Sequence, residues 1–130
     1  MTKKALAFSL LLMAAVLAAA FWTFAQDDLT RIDSGAFTSK QRPPVPFAHD
    51  KHNEAAGLSE SCNLCHHVYR DGKRVQDEDS IGQACADCHA LKNKGRVPGL
   101  MRAYHGLCTP CHRERKAGPI TCGACHPKRS

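Results

Sequence analysis

Cys62-Asn63-Leu64-Cys65-His66-His67 is the stretch that decides how this 130-residue chain is read. Two thiols three positions apart lie on one side of a helical turn. They can bond to two carbons at one haem edge while the following His66 reaches the iron. C-x-x-C-H is the attachment signature of a c-type haem. It recurs as Cys85-Ala86-Asp87-Cys88-His89, Cys108-Thr109-Pro110-Cys111-His112 and Cys122-Gly123-Ala124-Cys125-His126. All eight cysteines of the chain fall inside these four motifs, so four covalent haems c are expected.

A haem iron held by one motif histidine has a second axial position to fill. Beyond His66, His89, His112 and His126, the chain has four further histidines: His49, His52, His67 and His105. Eight histidines for four irons is two apiece, which predicts bis-histidine ligation at every site. The adjacent His66 and His67 should diverge by about 100° on a helix or turn. His66 then serves its own haem and His67 a neighbour, which implies a compact haem cluster. Competing chemistries fit less well. Zinc would require four centres in one small chain, with a tighter Cys/His run than a finger uses. Disulfide exchange would need four redox pairs without a surrounding fold. Thiolate-bound iron–sulfur clusters leave the adjacent histidines unexplained.

The composition agrees. Large aliphatic side chains are scarce beyond residue 25, so an aliphatic core cannot readily offset the entropy of folding. Coordinated or covalent groups must fill the interior, and the length excludes a two-domain enzyme. Met1-Thr2-Lys3-Lys4 followed by an apolar run from Ala5 to Ala25 reads as a signal peptide over 1–25, cut after Ala25. The same run is long enough to stay as an uncleaved anchor. Either way the rest of the chain is expected outside the cytoplasm, in the periplasm, where haem attachment to thiols takes place.

Residues 26–42 read as an extended arm and 43–130 as the haem domain. Arg42-Pro43-Pro44-Val45-Pro46 should run extended, and a short helical turn carries His49 and His52. Ser59 is expected to cap the first motif's helix. Arg70-Asp71-Gly72-Lys73 reads as a turn between two short strands. Ser80-Ile81-Gly82-Gln83 has the form of a capping box before the second motif. Pro98 should open a short helix that Gly106 closes. The expected fold is a small multihaem cytochrome c of short helices and loops, with a short two-stranded hairpin, packed around four haems.

The chain carries 18 Lys and Arg against 12 Asp and Glu, a formal +6. Loss of Lys3 and Lys4 with the leader leaves +4. Haem carboxylates would shift this toward a negative balance, so basic side chains matter locally. Arg113, Arg115 and Lys116, with Lys128 and Arg129, form a cluster that would dock an acidic partner near the fourth haem. Nucleic acid is not an expected partner, because the basic residues are interspersed with haem motifs.

From about Pro44 to His126, these residues resemble the class III multihaem cytochromes c of sulfate-reducing bacteria. The resemblance rests on Phe47-x-His49-x-x-His52, Cys62-x-x-Cys65-His66-His67, the lone His105 and the last two motifs. It implies the axial pairs His49–His66, His52–His112, His67–His89 and His105–His126. It also implies a periplasmic electron carrier in sulfate respiration, not an enzyme, exchanging electrons with a hydrogenase or another multihaem cytochrome. Many members have C-x-x-x-x-C-H at the second and fourth sites, where this chain has C-x-x-C-H. In that respect it is similar to a second type that serves membrane redox complexes. A monomer or weak dimer is expected. The alternative is a small multihaem reductase of metal ions or sulfur species, acting through an exposed haem edge. A retained leader would instead make the chain a membrane-tethered relay subunit.

Overall fold

Few side chains are available to build an interior, and the computed structural model shows the consequence. It describes residues 29–128 together with Met13; the leader expected over 1–25 otherwise lies outside the described residues. Among the described residues only Leu58 and Leu100 are buried large hydrophobics, at 7% and 0% exposure. Two such residues cannot hold a domain of this length by apolar burial alone.

The backbone is a series of short elements. Strand β1 (Arg31–Ile32) pairs antiparallel with β2 (Val45–Pro46), Arg31 opposite Pro46 and Ile32 opposite Val45. Phe47 and His49 N–H groups extend this contact by donating to the Thr30 and Leu29 carbonyls. The sequence between the two strands therefore loops back onto the segment that leads into the first histidines.

Helix α1 (His49–Ala56) ends at Gly57, which takes a left-handed φ of 63°. Its N–H turns back to Asn53 and Glu54 carbonyls, and Leu58 N–H follows to Asn53, seating the buried Leu58. A 3₁₀ turn over Cys62–Leu64 carries the first motif. Strands β3 (His67–Arg70) and β4 (Lys73–Asp79) then form a hairpin. Asp71 and Gly72 at its tip both have positive φ, 51° and 75°, the backbone that an Asp-Gly pair supplies to a tight hairpin. A register shift lies between His67 and Val68, so His67 stands opposite Asp79 while Val68 stands opposite Val75.

Helix α2 (Cys85–Cys88) is one turn; α3 (Leu100–Arg115) has 16 residues; α4 (Cys122–Cys125) is again one turn. Three local expectations are corrected here. The first motif's turn begins after Ser61, without a side-chain cap, so Ser59 does not cap it. The second motif is capped at Ala84, whose N–H donates to the Asp87 carboxylate at 2.8 Å, and Ser80 only closes a preceding turn with Gln83. Gly106 does not end a helix but lies inside α3.

The reason for the last is energetic. Glycine in a helix interior costs only about 1 kcal/mol relative to alanine, which packing overrides. Pro110 also lies within α3, where it lacks the amide that would bond the carbonyl four residues back. That carbonyl belongs to Gly106. Helix α3 ends at Lys116, left-handed at φ 52°, after a last turn holding His112, Arg113 and Arg115. Cations at that end suit the helix dipole.

Candidate functional site

Each motif is closed as a single turn of helix. The His66, His89 and His126 N–H groups donate to the carbonyls of Cys62, Cys85 and Cys122, each at 2.8 Å. The third motif needs no separate turn, since α3 contains all of Cys108 to His112. The shared geometry follows from the spacing: a bond from the fifth residue to the first puts both cysteines on one side, with histidine at the turn's end.

The imidazoles of the last three motifs are oriented by main-chain carbonyls. His89 Nδ1 lies 2.9 Å from Pro98 O, His112 Nδ1 2.7 Å from Pro119 O, and His126 Nδ1 2.8 Å from Pro43 O. A carbonyl oxygen can only accept, so Nδ1 carries the proton and donates. The Nε2 lone pair is then left for a metal, the tautomer that metal-bound histidines require. His49 Nδ1 faces the Asp50 carboxylate at 2.9 Å, with the same consequence. Its Nε2 accepts from Asn53 Nδ2 at 3.2 Å, a bond that iron ligation would displace.

The eight sequence-selected histidines meet two by two. Ring centroids are 6.3 Å apart for His49–His66, 6.2 Å for His52–His112, 5.9 Å for His67–His89 and 6.3 Å for His105–His126. These are the four combinations that the resemblance implies. A metal–imidazole nitrogen bond is about 2.0 Å, and the ring centre lies roughly 1.1 Å behind that nitrogen. Two imidazoles on opposite sides of one metal therefore stand roughly 6.3 Å apart, centre to centre. Among the described residues, no three His, Cys, Asp or Glu converge on a point that would hold a metal ion by themselves. Two nitrogens across a gap fit a metal whose other positions are filled by a macrocycle, and do not form a zinc cage.

The cysteines converge as well. Burial pushes the Cys108 thiol up to about 11, helped by Cys65, Cys125, Cys85 and Cys111. Cys65, Cys85 and Cys125 belong to the three other motifs, so the thiols of all four lie within electrostatic reach of Cys108. Burial likewise raises the Cys65 thiol, with Cys111 and Cys85 adding to it and Arg74 opposing. Burial is also the main cause that lowers the His67 imidazole below its ordinary value, reinforced by Arg74, His89 and His66. A neutral ring is the form that binds iron. Tyr104, on α3, is pushed up to about 12 by burial first and by neighbouring Cys85 second.

The residues fit haem on further counts. A cavity of about 230 Å³ is bounded by His105 and His126, Cys122 and Cys125, with Arg42, Thr109, Ile120 and Thr121. One of the histidine pairs and one of the cysteine pairs thus border a single hollow. His52 Nδ1 is buried without a hydrogen-bond partner. Gly118 passes so close to the His112 ring that a Cβ there would lie 2.7–2.9 Å from its atoms. The structure also brings forward residues that sequence reasoning missed: Arg42 and Arg74, and the carbonyls of Pro43, Pro98 and Pro119. The prolines were visible as breaks in helix. Their carbonyls lie outside any helix or sheet ladder and are therefore free to orient a histidine.

The basic cluster expected after the third motif is only partly available to a partner. Arg115 Nη1 donates to the Ala56 carbonyl at 2.6 Å, tying the end of α3 to the end of α1. Among the described residues, no helix is long and apolar enough to cross a membrane.

Comparison with known proteins points the same way. The model of the class III cytochrome c family matches residues 26–126. Cytochrome c3 of Maridesulfovibrio salexigens is 34% identical over 109 residues, covering 79% of this chain and 94% of that protein. Cytochrome c3 of Desulfovibrio desulfuricans is 31% identical over 108 residues, covering 78% and 94%. Among solved structures, the chain is similar to the sixteen-haem cytochrome of Desulfovibrio gigas, with a TM-score of 0.54 and 24% identity. That match covers 90% of this chain but only 26% of the other, and it bears on the fold alone.

Proposed function

Because the chain belongs to the class III cytochrome c family, we propose that it is a periplasmic relay with four low-potential, bis-histidine haems c. In this reading it passes electrons between a hydrogenase or another multihaem cytochrome and a membrane redox complex. Membership of the family makes the chain a multihaem cytochrome c that binds haem covalently and transfers electrons.

The observation that best supports a four-haem, bis-histidine relay is the set of four histidine pairs at 5.9–6.3 Å. Haem bound there supplies one-electron chemistry at iron. The chain's residues then act as holders. His49 and His66, and the three other pairs, would occupy both axial positions and leave none for oxygen or a substrate. Two imidazoles favour ferric iron more than a histidine–methionine pair does, which lowers the potential. The Pro98, Pro119 and Pro43 carbonyls hold Nδ1–H of His89, His112 and His126, so these rings keep one orientation through each redox change. The cysteine pairs would fix each haem to one turn of backbone, and consecutive His66 and His67, with His105 and His112 on one helix, would keep neighbouring centres close.

The test is rapid mixing of the oxidised holoprotein with hydrogenase under hydrogen, followed by membranes bearing the acceptor complex. All haems should be reduced and then reoxidised through the membranes. Slow reduction by hydrogenase, with fast reoxidation by soluble ferric iron or polysulfide under turnover, would instead support a terminal reductase.

A further inference from the structure

Two arginines on the same hairpin are treated very differently. Arg70, exposed at the end of β3, grips the Glu78 carboxylate with Nη1 and Nη2 at 2.5 and 2.6 Å. Arg74, on β4 opposite Tyr69, is half-buried. Its Nη2 donates to the Asn63 carbonyl, inside the Cys62–Cys65 turn. Its Nε is buried and has no hydrogen-bond partner, and among the described residues no carboxylate forms an ion pair with it.

A guanidinium stays charged at any physiological pH, and a buried N–H left unpaired is costly. Nε therefore calls for an acceptor, and beside a fixed positive charge an anion is the best one. Among the described residues none supplies it, although four acidic residues, Asp77, Glu78, Asp79 and Asp71, belong to the same hairpin. The position also has a definite address. Arg74 ends its Nη2 bond inside the first motif's turn, and Tyr69, its partner across the hairpin, meets the ring of His67, whose other ring neighbour is His89. It thus lies between the first and second of the histidine-pair sites. The anion that such sites bring with them is the carboxylate of a haem.

We propose that Arg74 is the internal counter-ion of a haem carboxylate, and that its fixed positive charge raises the midpoint potential of that haem. The haem is the one attached at Cys62 and Cys65 or the one held between His67 and His89. Nε–H donates to the carboxylate, while Nη2 keeps the guanidinium tied to the Asn63 carbonyl. A cation beside a haem favours the state with the additional electron, so this site accepts electrons more readily than its axial ligands alone would allow. Arg74 is in this sense a positioning and tuning residue that does not touch iron. The proposal rests on haem occupying these histidine pairs.

The experiment uses purified holoprotein, native and carrying Arg74→Gln or Arg74→Lys. Haem content is checked by intact mass and spin state by optical spectrum, and each haem's midpoint potential is then resolved by redox titration followed by NMR. With haem content and spin state unchanged, Arg74→Gln should lower one potential markedly and the others little. Arg74→Lys should retain most of the native value. A shift in the haem ligated by His49 and His66 assigns the carboxylate to the first site, and a shift in the one ligated by His67 and His89 assigns it to the second. Four unchanged potentials in Arg74→Gln would overturn the proposal and reduce Arg74 to a brace for Asn63. A structure of the native holoprotein with Nε beyond hydrogen-bond distance of every haem carboxylate would overturn it without any variant. A native protein lacking haem at these two sites would refute the underlying haem reading instead.

Discussion

The His66–His67 junction and helix α3 each supply histidines to two of the four pairs, but they separate those pairs differently. At the junction the separation is by direction. His66 ends the first motif's turn and faces His49, while His67 opens β3 and faces His89. In α3 it is by length. His105 and His112 are seven residues apart, nearly two full turns, so they project from almost the same face about 10.5 Å apart along the axis. His112 faces His52 and His105 faces His126. Direction allows two sites on consecutive residues, but makes both depend on one local backbone conformation. Length needs an intact helix between the sites and is indifferent to small local changes.

The largest expected effect comes from removing the attachment inside α3. Cys108→Ala with Cys111→Ala takes away the third haem and loosens His105 at the fourth, because one helix carries both. Intact mass should show at most three haems, and circular dichroism a large loss of helix. The matching pair in the hairpin region, Cys62→Ala with Cys65→Ala, should remove one haem and leave α3 formed. Equal loss of helix in both would break the comparison.

Single-ligand changes come next. His67→Ala should convert one haem of the four to high spin while the His49–His66 site stays low spin, which would demonstrate that adjacent residues serve separate irons. Gly118→Ala should do the same at the His112 site from a distance. A methyl group there meets the His112 ring at 2.7–2.9 Å, on a backbone at φ +84° that disfavours any side chain. Spin-state quantification by electron paramagnetic resonance separates either outcome from global unfolding, and which low-spin signal is lost tells the two sites apart.

A smaller effect sharpens the claim that α3 acts as a spacer. Gly106 lies mid-helix with open space around a prospective Cβ. Gly106→Ala should stabilise the protein by about 1 kcal/mol without altering any haem potential, read as a rise in Tm.

The smallest effect belongs to the hairpin's exposed ion pair. Hydrogen bonding to Arg70 lowers the Glu78 carboxyl below its ordinary value of 4.5. Its stabilising contribution is therefore complete above that value and lost as pH falls through the lower folded-state value. Both groups are exposed, so the contribution is small and weakens with salt. Glu78→Gln should flatten the acid limb of the unfolding profile slightly and leave the spectrum untouched.

Much of the site was legible because covalent and coordinate chemistry leaves a fixed record in residue type and spacing. Four C-x-x-C-H turns and four further histidines can be counted without knowing the backbone. The hairpin was legible from Asp71-Gly72 for a similar reason, since a tight turn demands those conformations. The extent of α3 was not, because Gly106 and Pro110 are local stop signals that lose to the tethering at both ends of the helix. Arg74 was illegible for a different reason. One arginine among the basic residues of the chain acquires meaning only when its Nε is seen buried and its partner missing. The β1–β2 ladder likewise depends on a loop returning, which two-residue strands do not announce.

The central claim is that eight histidines serve four irons in pairs. Intact mass of the purified holoprotein, combined with electron paramagnetic resonance of its oxidised form, tests this most directly. Four covalent haems and only low-spin signals are expected. Three or fewer haems, or a high-spin component in the native protein, would contradict it.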